Sequence, residues 1–192
     1  MTINRAHVLN VLVGANEACE AAGLAVVEIV PTAMHRKLLF VALETARSSV
    51  IVTSHRMSRQ AIGPNLSSRI VRAVERGVDV GLLWGEHGTG AEDGIVEELR
   101  GCCEGHAGRL IVNTMPLDLH SKMLVADGES VVITSYEFLN FVDSRSYERD
   151  ELGVRLQSRR VAAELIDSLV THIEESDYRL GEQLRELQQP GA

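Results

Sequence analysis

The most constraining feature of the sequence is a regular alternation between short apolar, β-branched runs and longer segments of helical periodicity. The alternation covers residues 24–114, where each run of strand character is followed by an amphipathic segment or a turn. Such a succession favours right-handed crossovers and a mostly parallel sheet covered by helices on both faces. The predicted strands are 24–30, 49–53, 78–84 and 110–114, and the predicted helices are 33–47, 66–77 and 91–103.

The rhythm changes after residue 114, where two apolar strands are separated by a short turn. Residues 121–126 and 130–135 flank Asp127-Gly128-Glu129, and an Asp-Gly pair in this position is typical of a hairpin. A further strand over 151–156 and a helix over 159–172 follow. The predicted fold class is therefore α/β, with a mixed β-sheet flanked by helices on both faces.

The chain length suits one domain with short extensions. Apolar residues recur at helical spacing from residue 3 to residue 22, which predicts an N-terminal helical extension over residues 1–23. The domain itself is predicted to span residues 24–178. Residues 179–192 are predicted to be a polar C-terminal tail that prolongs the last helix and then frays.

Composition argues against several classes of protein. No apolar run reaches the length of a membrane span, and the N-terminus lacks a signal-peptide core, so we expect a cytoplasmic protein without membrane contact. Cys102 and Cys103 are adjacent and Cys19 is distant, so there is no disulfide framework, and no Cys or His cluster predicts a metal site. The net charge of −8 argues against strong non-specific binding to a polyanion, although a local basic patch is compatible with it.

One group of residues has the residue types and spacing of a catalytic site. The chain reads His120-Ser121-Lys122, then four residues to Asp127, then seven to Ser135. Side chains alternate along a strand, so His120 and Lys122 are expected to project to the same side. A neutral imidazole is able to attack phosphorus, and an ammonium stabilises the crowded oxyanion that forms, with Ser135 donating a further hydrogen bond. This arrangement requires neither a metal nor a cofactor, although the same residues taken alone also fit a plain hairpin.

The spacing of His120, Lys122, Asp127 and Ser135 resembles the HKD motif of the phospholipase D superfamily. Further segments resemble a bacterial branch of that family, and together the resemblance covers roughly residues 25–175. These segments read Val-Ile-Val-Thr-Ser-His-Arg at 50–56, Arg-Gly-Val-Asp-Val-Gly-Leu-Leu-Trp-Gly at 76–85, Ile-Thr-Ser-Tyr-Glu-Phe-Leu at 133–139 and Arg-Asp-Glu-Leu-Gly-Val at 149–154.

The resemblance implies a role for each matching residue. His120 would form a phosphohistidine intermediate, Lys122 and Ser135 would bind the phosphate, and Glu151 would orient the histidine. Asp127 matches the motif aspartate, whose role is more structural than chemical.

The family active site uses two copies of the motif, whereas this chain carries one. His35-Arg36-Lys37 lies on a predicted helix and lacks an aspartate at the right distance. The second histidine, which protonates the leaving group, would then come from another chain of a homodimer.

The sequence departs from the family pattern after Ser135. Related motifs continue Ser-x-Asn, whereas this chain has Glu137 at the position of the amide. We expect Glu137 to turn away, to pair with Lys122 or an arginine in the empty site as a gate, or to be protonated when substrate binds. Asn140 is a conceivable substitute for the missing amide, and His55, which follows a strand, is expected to line the site.

These observations predict a metal-independent phosphodiesterase, with nucleic acid, and DNA in particular, as the preferred substrate. The resemblance to a branch associated with bacterial defence or DNA processing supports this choice and makes other proteins of such a system conceivable partners. One alternative is a non-catalytic or attenuated module of a larger complex, which Glu137 and the acidic charge would fit. The other is a phospholipid diesterase, against which the absence of an amphipathic membrane-binding stretch argues.

Overall fold

The computed structural model describes residues 26–87, 94–141 and 150–187, so the predicted N-terminal helix lies outside the described residues. The described chain forms one sheet of seven strands with the order β1-β7-β6-β5-β2-β3-β4. The strands are β1 (Val26–Pro31), β2 (Ser49–Met57), β3 (Asp79–His87), β4 (Leu110–Val112), β5 (Met123–Ala126), β6 (Ser130–Thr134) and β7 (Leu152–Gln157). The helices are α1 (Thr32–Thr45), α2 (Pro64–Glu75), α3 (Ile95–Cys103), α4 (Arg159–Glu174) and α5 (Tyr178–Glu186).

The sheet is mixed, which confirms the predicted fold class. Strands β2, β3 and β4 are parallel, because a helix returns the chain to the same end of the sheet before each new strand. The β5–β6 hairpin then joins β2 in the antiparallel sense, and β7 and β1 extend the sheet from β6 as further antiparallel strands.

Helices cover both faces of the sheet. One face carries side chains such as Val52, Leu82 and Leu124, which pack with the buried residues of α1, α2 and α3. The opposite face carries Ile51 and Val125, which pack with the buried residues of α4 and α5. Full burial of each such aliphatic side chain contributes about 1.5–3 kcal/mol, so these two layers hold the strand ends in fixed positions.

The end of the chain differs from the prediction. Residues 178–186 form a separate helix, α5, whose start is capped by the Asp177 carboxylate accepting from the Leu180 N–H at 3.1 Å. Leu180, Leu184 and Leu187 are buried against the second face of the sheet. The prediction of a fraying tail is therefore wrong for residues 179–187, because three leucines at helical spacing supply an apolar stripe within a mostly polar segment.

Part of the second face is uncovered in the described structure. Val27, Ile29, Ile133 and Leu152 lie on this face at its β1–β7–β6 end, with 61%, 66%, 43% and 59% of their surface exposed. We call these four residues the apolar strip. None of the helices in the described ranges is long and apolar enough to cross a membrane.

Candidate active site

Most of the predicted site residues are brought together at one edge of the sheet, where β2 and β6 end and β5 and β7 begin. The ladder aligns Thr53 of β2 with Met123 of β5, Met123 with Ile133 of β6, and Ile133 with Val154 of β7. Beyond this row of aligned residues, β2 and β6 reach their C-terminal ends, whereas β5 and β7 have their N-terminal ends there. His55, His120, Lys122, Ser135 and Glu151 therefore all lie at this edge, as the motif predicts.

The strand that was expected to carry His120 starts later than predicted. Strand β5 begins at Met123, so His120 and Lys122 lie in the segment before the strand rather than in it. The side chain of Thr53 takes the place of the backbone ladder here. Its hydroxyl accepts from the Met123 N–H at 3.0 Å and donates to the Ser121 carbonyl at 2.9 Å. This exchange anchors the segment before β5 to β2, while on its other side the Lys122 carbonyl accepts from the Thr134 N–H of β6 at 3.1 Å.

Buried polar contacts hold the loop that precedes His120. The Asn113 amide donates to the Trp84 carbonyl at 2.8 Å and accepts from the Trp84 N–H at 3.0 Å, and both residues are buried. Further along the loop, His172 of α4 donates through Nε2 to the Asp118 carbonyl at 2.5 Å. The loop is thus fastened both to β3 and to the helical layer.

Gly85 allows this loop to lie directly on β3. A Cβ atom at position 85 would stand 1.9 Å from the Leu119 carbonyl oxygen and 3.2 Å from the Leu117 carbonyl oxygen. No side chain larger than hydrogen fits at such a distance, so the residue before His120 is positioned by a close approach that only glycine permits.

His120 contacts a second histidine of its own chain. The imidazole rings of His120 and His55 have centroids 4.3 Å apart and planes inclined by 43°. His55 is held by its Nδ1–H, which donates to the Leu119 carbonyl at 3.2 Å. His120 is exposed, whereas His55 is half-buried, so His55 forms a fixed platform beside a solvent-accessible ring.

Lys122 and Glu137 form an ion pair within the site. The Lys122 ammonium lies 3.3 Å from Glu137 Oε1 and donates to the His120 carbonyl at 3.2 Å. The other carboxylate oxygen of Glu137 accepts from the Ser54 hydroxyl at 2.7 Å and from the Arg56 N–H at 3.2 Å. Of the three expected arrangements of Glu137, the structure has the one in which it pairs with Lys122.

Ser135 and Glu151 form a second pair at the same edge. The Ser135 hydroxyl donates to the Glu151 carboxylate and accepts from the Leu152 N–H at 3.2 Å. Thr32 fixes the backbone of Glu151, since its hydroxyl accepts from the Glu151 N–H at 2.9 Å and donates to the Glu151 carbonyl at 3.0 Å. Glu151 was expected to orient the histidine, whereas the contacts of the described residues join it to Ser135.

His35, which has no evident partner in the sequence, lies behind this second pair. Its ring is fully buried and stacks on Tyr136, with Nδ1 donating to the Thr32 carbonyl at 3.3 Å and Nε2 lying 2.6 Å from the Thr134 hydroxyl. Burial lowers the pKa of His35, which favours the neutral ring in the fold. His35 therefore contacts both sequence neighbours of Ser135, and it also contacts Thr32, which holds the backbone of Glu151.

Asp127 lies at the opposite end of the β5–β6 hairpin, so the structure does not bring it to the site. Its carboxylate accepts from the N–H groups of Arg47, Ser48 and Ser49 at 2.8–3.2 Å and from the Ser48 hydroxyl at 3.0 Å. Burial would raise the pKa of Asp127, but these hydrogen bonds together outweigh it and lower the pKa. The motif groups Asp127 with the catalytic residues, but its contacts at this end of the hairpin are structural.

The remaining predicted residue, Asn140, is half-buried in the turn that follows Glu137, where its N–H donates to the Glu137 carbonyl at 3.2 Å. Within residues 26–87, 94–141 and 150–187, no three His, Cys, Asp or Glu side chains are grouped so as to hold a metal ion. The sequence-predicted residues thus separate into a cluster around His120, a pair around Ser135 and a distant structural carboxylate.

Comparison with known proteins identifies the family. The family model described as "Cardiolipin synthase, PLD-like domain" matches residues 39–173. Among solved structures, the chain is similar to Nuc, a phospholipase D family member from Salmonella typhimurium, with 17% identity, a TM-score of 0.55 and coverage of 78% of this chain and 95% of that one. NucT from Helicobacter pylori is similar at 10% identity and a TM-score of 0.56, over 78% of this chain and 96% of that one.

The same fold also occurs within a larger protein. Polyphosphate kinase from Porphyromonas gingivalis matches 77% of this chain but only 26% of its own length, with 14% identity and a TM-score of 0.54. No curated protein sequence matches the chain significantly.

Proposed function

Because the chain belongs to the phospholipase D superfamily, we propose that it is a metal-independent phosphodiesterase that cleaves nucleic acid, with DNA as the favoured substrate. The observation that carries the proposal is the grouping of His120 and Lys122 at one edge of the sheet, beside the Ser135–Glu151 pair. An exposed imidazole next to a largely buried ammonium supplies both a nucleophile and a fixed positive charge.

The proposed reaction proceeds in two displacements at phosphorus. A neutral nitrogen of His120 attacks, the new N–P bond forms, and the bond from phosphorus to the leaving oxygen breaks. The leaving oxygen takes a proton and departs as an alcohol. Water then attacks the same phosphorus and gives up a proton to the group that had protonated the leaving oxygen, the N–P bond breaks, and the imidazole is restored. Lys122 neutralises the non-bridging oxygens in both steps.

The proton for the leaving group requires a second acid on the far side of phosphorus, because the attacking and leaving atoms are in line. His55 does not meet this requirement. Phosphorus has to fit between the attacking and leaving atoms, each about 3–3.5 Å away from it. The centroids of the His55 and His120 rings are only 4.3 Å apart, so no phosphate fits between them. We therefore assign the acid to His120 of a second copy, which an isologous dimer would bring to the same place.

The apolar strip supports this dimer. Leu152 directly follows Glu151, and Ile133 lies two residues before Ser135, so the strip adjoins the site edge. Exposed apolar clusters of this kind mark interaction surfaces, and a second copy seated here would lie next to the site it has to complete.

The proposed function is tested with bis(p-nitrophenyl) phosphate and with single- and double-stranded DNA, each in the presence of EDTA. We expect release of nitrophenol and cleavage of DNA to persist in EDTA, and His120→Ala to abolish both. Phosphatidylcholine and phosphatidylglycerol vesicles form the alternative arm. Loss of activity in EDTA with recovery in magnesium would refute the chemistry, and cleavage of lipid without cleavage of DNA would refute the substrate.

The shared site is tested by mixing subunits. Wild-type chains are exchanged with an equal amount of His120→Ala chains, and total diesterase activity is compared with that of the same total amount of wild-type protein. If both histidines act at one site, only homodimers of wild type are active and about one quarter of the activity remains. If each chain acts by itself, about half remains.

A further inference from the structure

The Glu137 carboxylate is bound by three donors that come from two separate segments of the chain. Lys122 approaches one oxygen at 3.3 Å, while the Ser54 hydroxyl at 2.7 Å and the Arg56 N–H at 3.2 Å approach the other. Ser54 is fully buried and the Lys122 side chain is only 11% exposed, so these donors are fixed in position. Together they form a preorganised site for two oxygens that share a negative charge.

A phosphodiester presents the same chemistry as this carboxylate, since its two non-bridging oxygens also share one negative charge. A cation, a hydroxyl and a backbone N–H are the donor types that bind such oxygens strongly. Lys122 also adjoins His120, through the His120 carbonyl at 3.2 Å. An anion at this site would therefore lie beside the nucleophile.

We propose that Lys122, Ser54 and the Arg56 N–H form an oxyanion cradle, and that Glu137 occupies it in the resting protein in competition with the substrate phosphate. This inference rests on the proposed function, because it names the phosphate-binding groups of that site. It makes Ser54 a substrate-binding residue outside the family motif and Glu137 the residue that sets phosphate affinity.

The charges of the cradle explain how Glu137 sets the affinity. Lys122 contributes one positive charge and Glu137 one negative charge, so the occupied cradle offers an incoming phosphate no net attraction. Glu137 is 23% exposed and has three rotatable side-chain bonds, so its carboxylate is able to swing into solvent when phosphate enters. Once it has left, the buried Lys122 ammonium needs a new counter-ion, and the phosphate supplies it.

The first test measures binding of tungstate, a tetrahedral oxyanion, by calorimetry in metal-free buffer. The proteins are wild type, Glu137→Gln and the control Glu164→Gln, which removes the same charge from an exposed pair with Arg160 on α4. We expect Glu137→Gln to bind tungstate at least about tenfold more tightly than wild type, and Glu164→Gln to match wild type. Equal affinity in wild type and Glu137→Gln would overturn the proposal.

The second test asks whether the named donors contact the anion. In the Glu137→Gln background, Ser54→Ala should weaken tungstate binding about three- to tenfold, whereas Ser58→Ala, another buried serine, should not. In the same background, the Arg56 amide resonance should shift on titration with tungstate. This amide reports on the cradle even if Ser54→Ala fails to fold. An unshifted Arg56 amide, or a folded Ser54→Ala protein with unchanged affinity, would refute the assignment.

Neither test depends on turnover, so this inference and the proposed function fail separately. Tight tungstate binding by Glu137→Gln in a protein that hydrolyses no diester would refute the proposed function alone. An active enzyme whose tungstate affinity and KM are unaffected by Glu137→Gln would refute the cradle alone.

Discussion

The two ends of the β5–β6 hairpin each hold a carboxylate, but they hold it in different ways. At the turn, Asp127 accepts from three consecutive backbone N–H groups and one hydroxyl, all from residues 47–49. At the open end, Glu137 accepts from the side chains of Lys122 and Ser54 and from one backbone N–H. The first set of donors belongs to a single turn, and the second is assembled from separate segments around a solvent-accessible ring.

The difference separates two parts of the motif region, a structural carboxylate at the turn and a carboxylate beside the site at the open end. Asp127 fastens the hairpin to the turn before β2, since its donors are fixed by the backbone and border no nucleophile. The donors around Glu137 border His120, and a ligand is able to compete for them. Four strand residues at about 3.3 Å each separate the two ends, so residues that are close in the motif act at opposite edges of the sheet.

The largest expected effect is at the open end. Changing His120→Ala should lower kcat/KM for a chromogenic diester by at least about a thousandfold, because the nucleophile is removed. The melting temperature should remain within about 2 °C of wild type, since the ring is exposed. The control is His106→Ala, a half-exposed histidine near Glu75 that should retain full activity. Equal kcat/KM in the His120→Ala and His106→Ala variants would show that His120 has no catalytic role.

Gly85→Ala tests whether the loop position matters as much as the nucleophile itself. The added methyl would force the Leu119 carbonyl away and displace His120, and a displacement of about 1 Å is expected to lower kcat about a hundredfold. Gly81→Ala in the same strand is the matched control, because its nearest neighbours would lie at ordinary contact distances of 3.5–3.7 Å. Similar kcat values for both variants would show that the close approach does not position His120.

Asp127→Asn tests the turn of the β5–β6 hairpin, where the substitution should change the stability of the protein but not its catalytic rate. An amide donor placed against backbone N–H donors should lower the free energy of unfolding by about 2 kcal/mol at pH 7, measured with urea, while kcat of the folded protein is retained. Loss of kcat without loss of stability would contradict the structural role of Asp127.

The same variant has a pH signature. The pKa of Asp127 is lowered in the fold, so its stabilising contribution is present above the unfolded pKa of about 3.9 and is lost as the pH falls through the folded value. The difference in unfolding free energy between wild type and Asp127→Asn should therefore shrink below about pH 4. A difference that stays constant down to pH 2.5 would show that the carboxylate charge is not what the turn binds.

The smallest expected effect concerns His55. Loss of the ring in His55→Ala should lower kcat about three- to tenfold through a less ordered His120, with little change in KM. His55→Phe should restore much of the activity because it keeps the ring contact. If Phe is as impaired as Ala, the imidazole of His55 acts chemically rather than as a platform.

Much of the fold was predictable because its signals are local. Periodicity identified every strand and helix of residues 26–174, including the hairpin at Asp127-Gly128, where both residues have positive φ. Helix α5 was missed because its burial depends on three leucines reaching the second sheet face, which is a tertiary contact. The late start of β5 was missed because a Thr53 side chain replaces a backbone ladder.

The site, like the fold, has features that the sequence predicts and contacts that only the structure reveals. The family resemblance grouped His120, Lys122, Ser135 and Glu151 in one site, and the structure shows that they lie at one edge of the sheet. The contacts of Ser54 and His35 join residues that are 83 and 99 positions apart, and no local pattern reports them. Glu137 was recognised as a departure from the family pattern, but the structure was needed to identify its partners.

The central claim is that the diester is cleaved in two displacements with His120 covalently attached in between. Stereochemistry at phosphorus tests it most directly. A phosphorothioate diester of one known configuration is hydrolysed in heavy-oxygen water, and the configuration of the product is read by phosphorus NMR. Each in-line displacement inverts phosphorus, so two displacements give retention of configuration, which is the predicted result. Inversion would show that water attacks directly and that His120 is not the nucleophile.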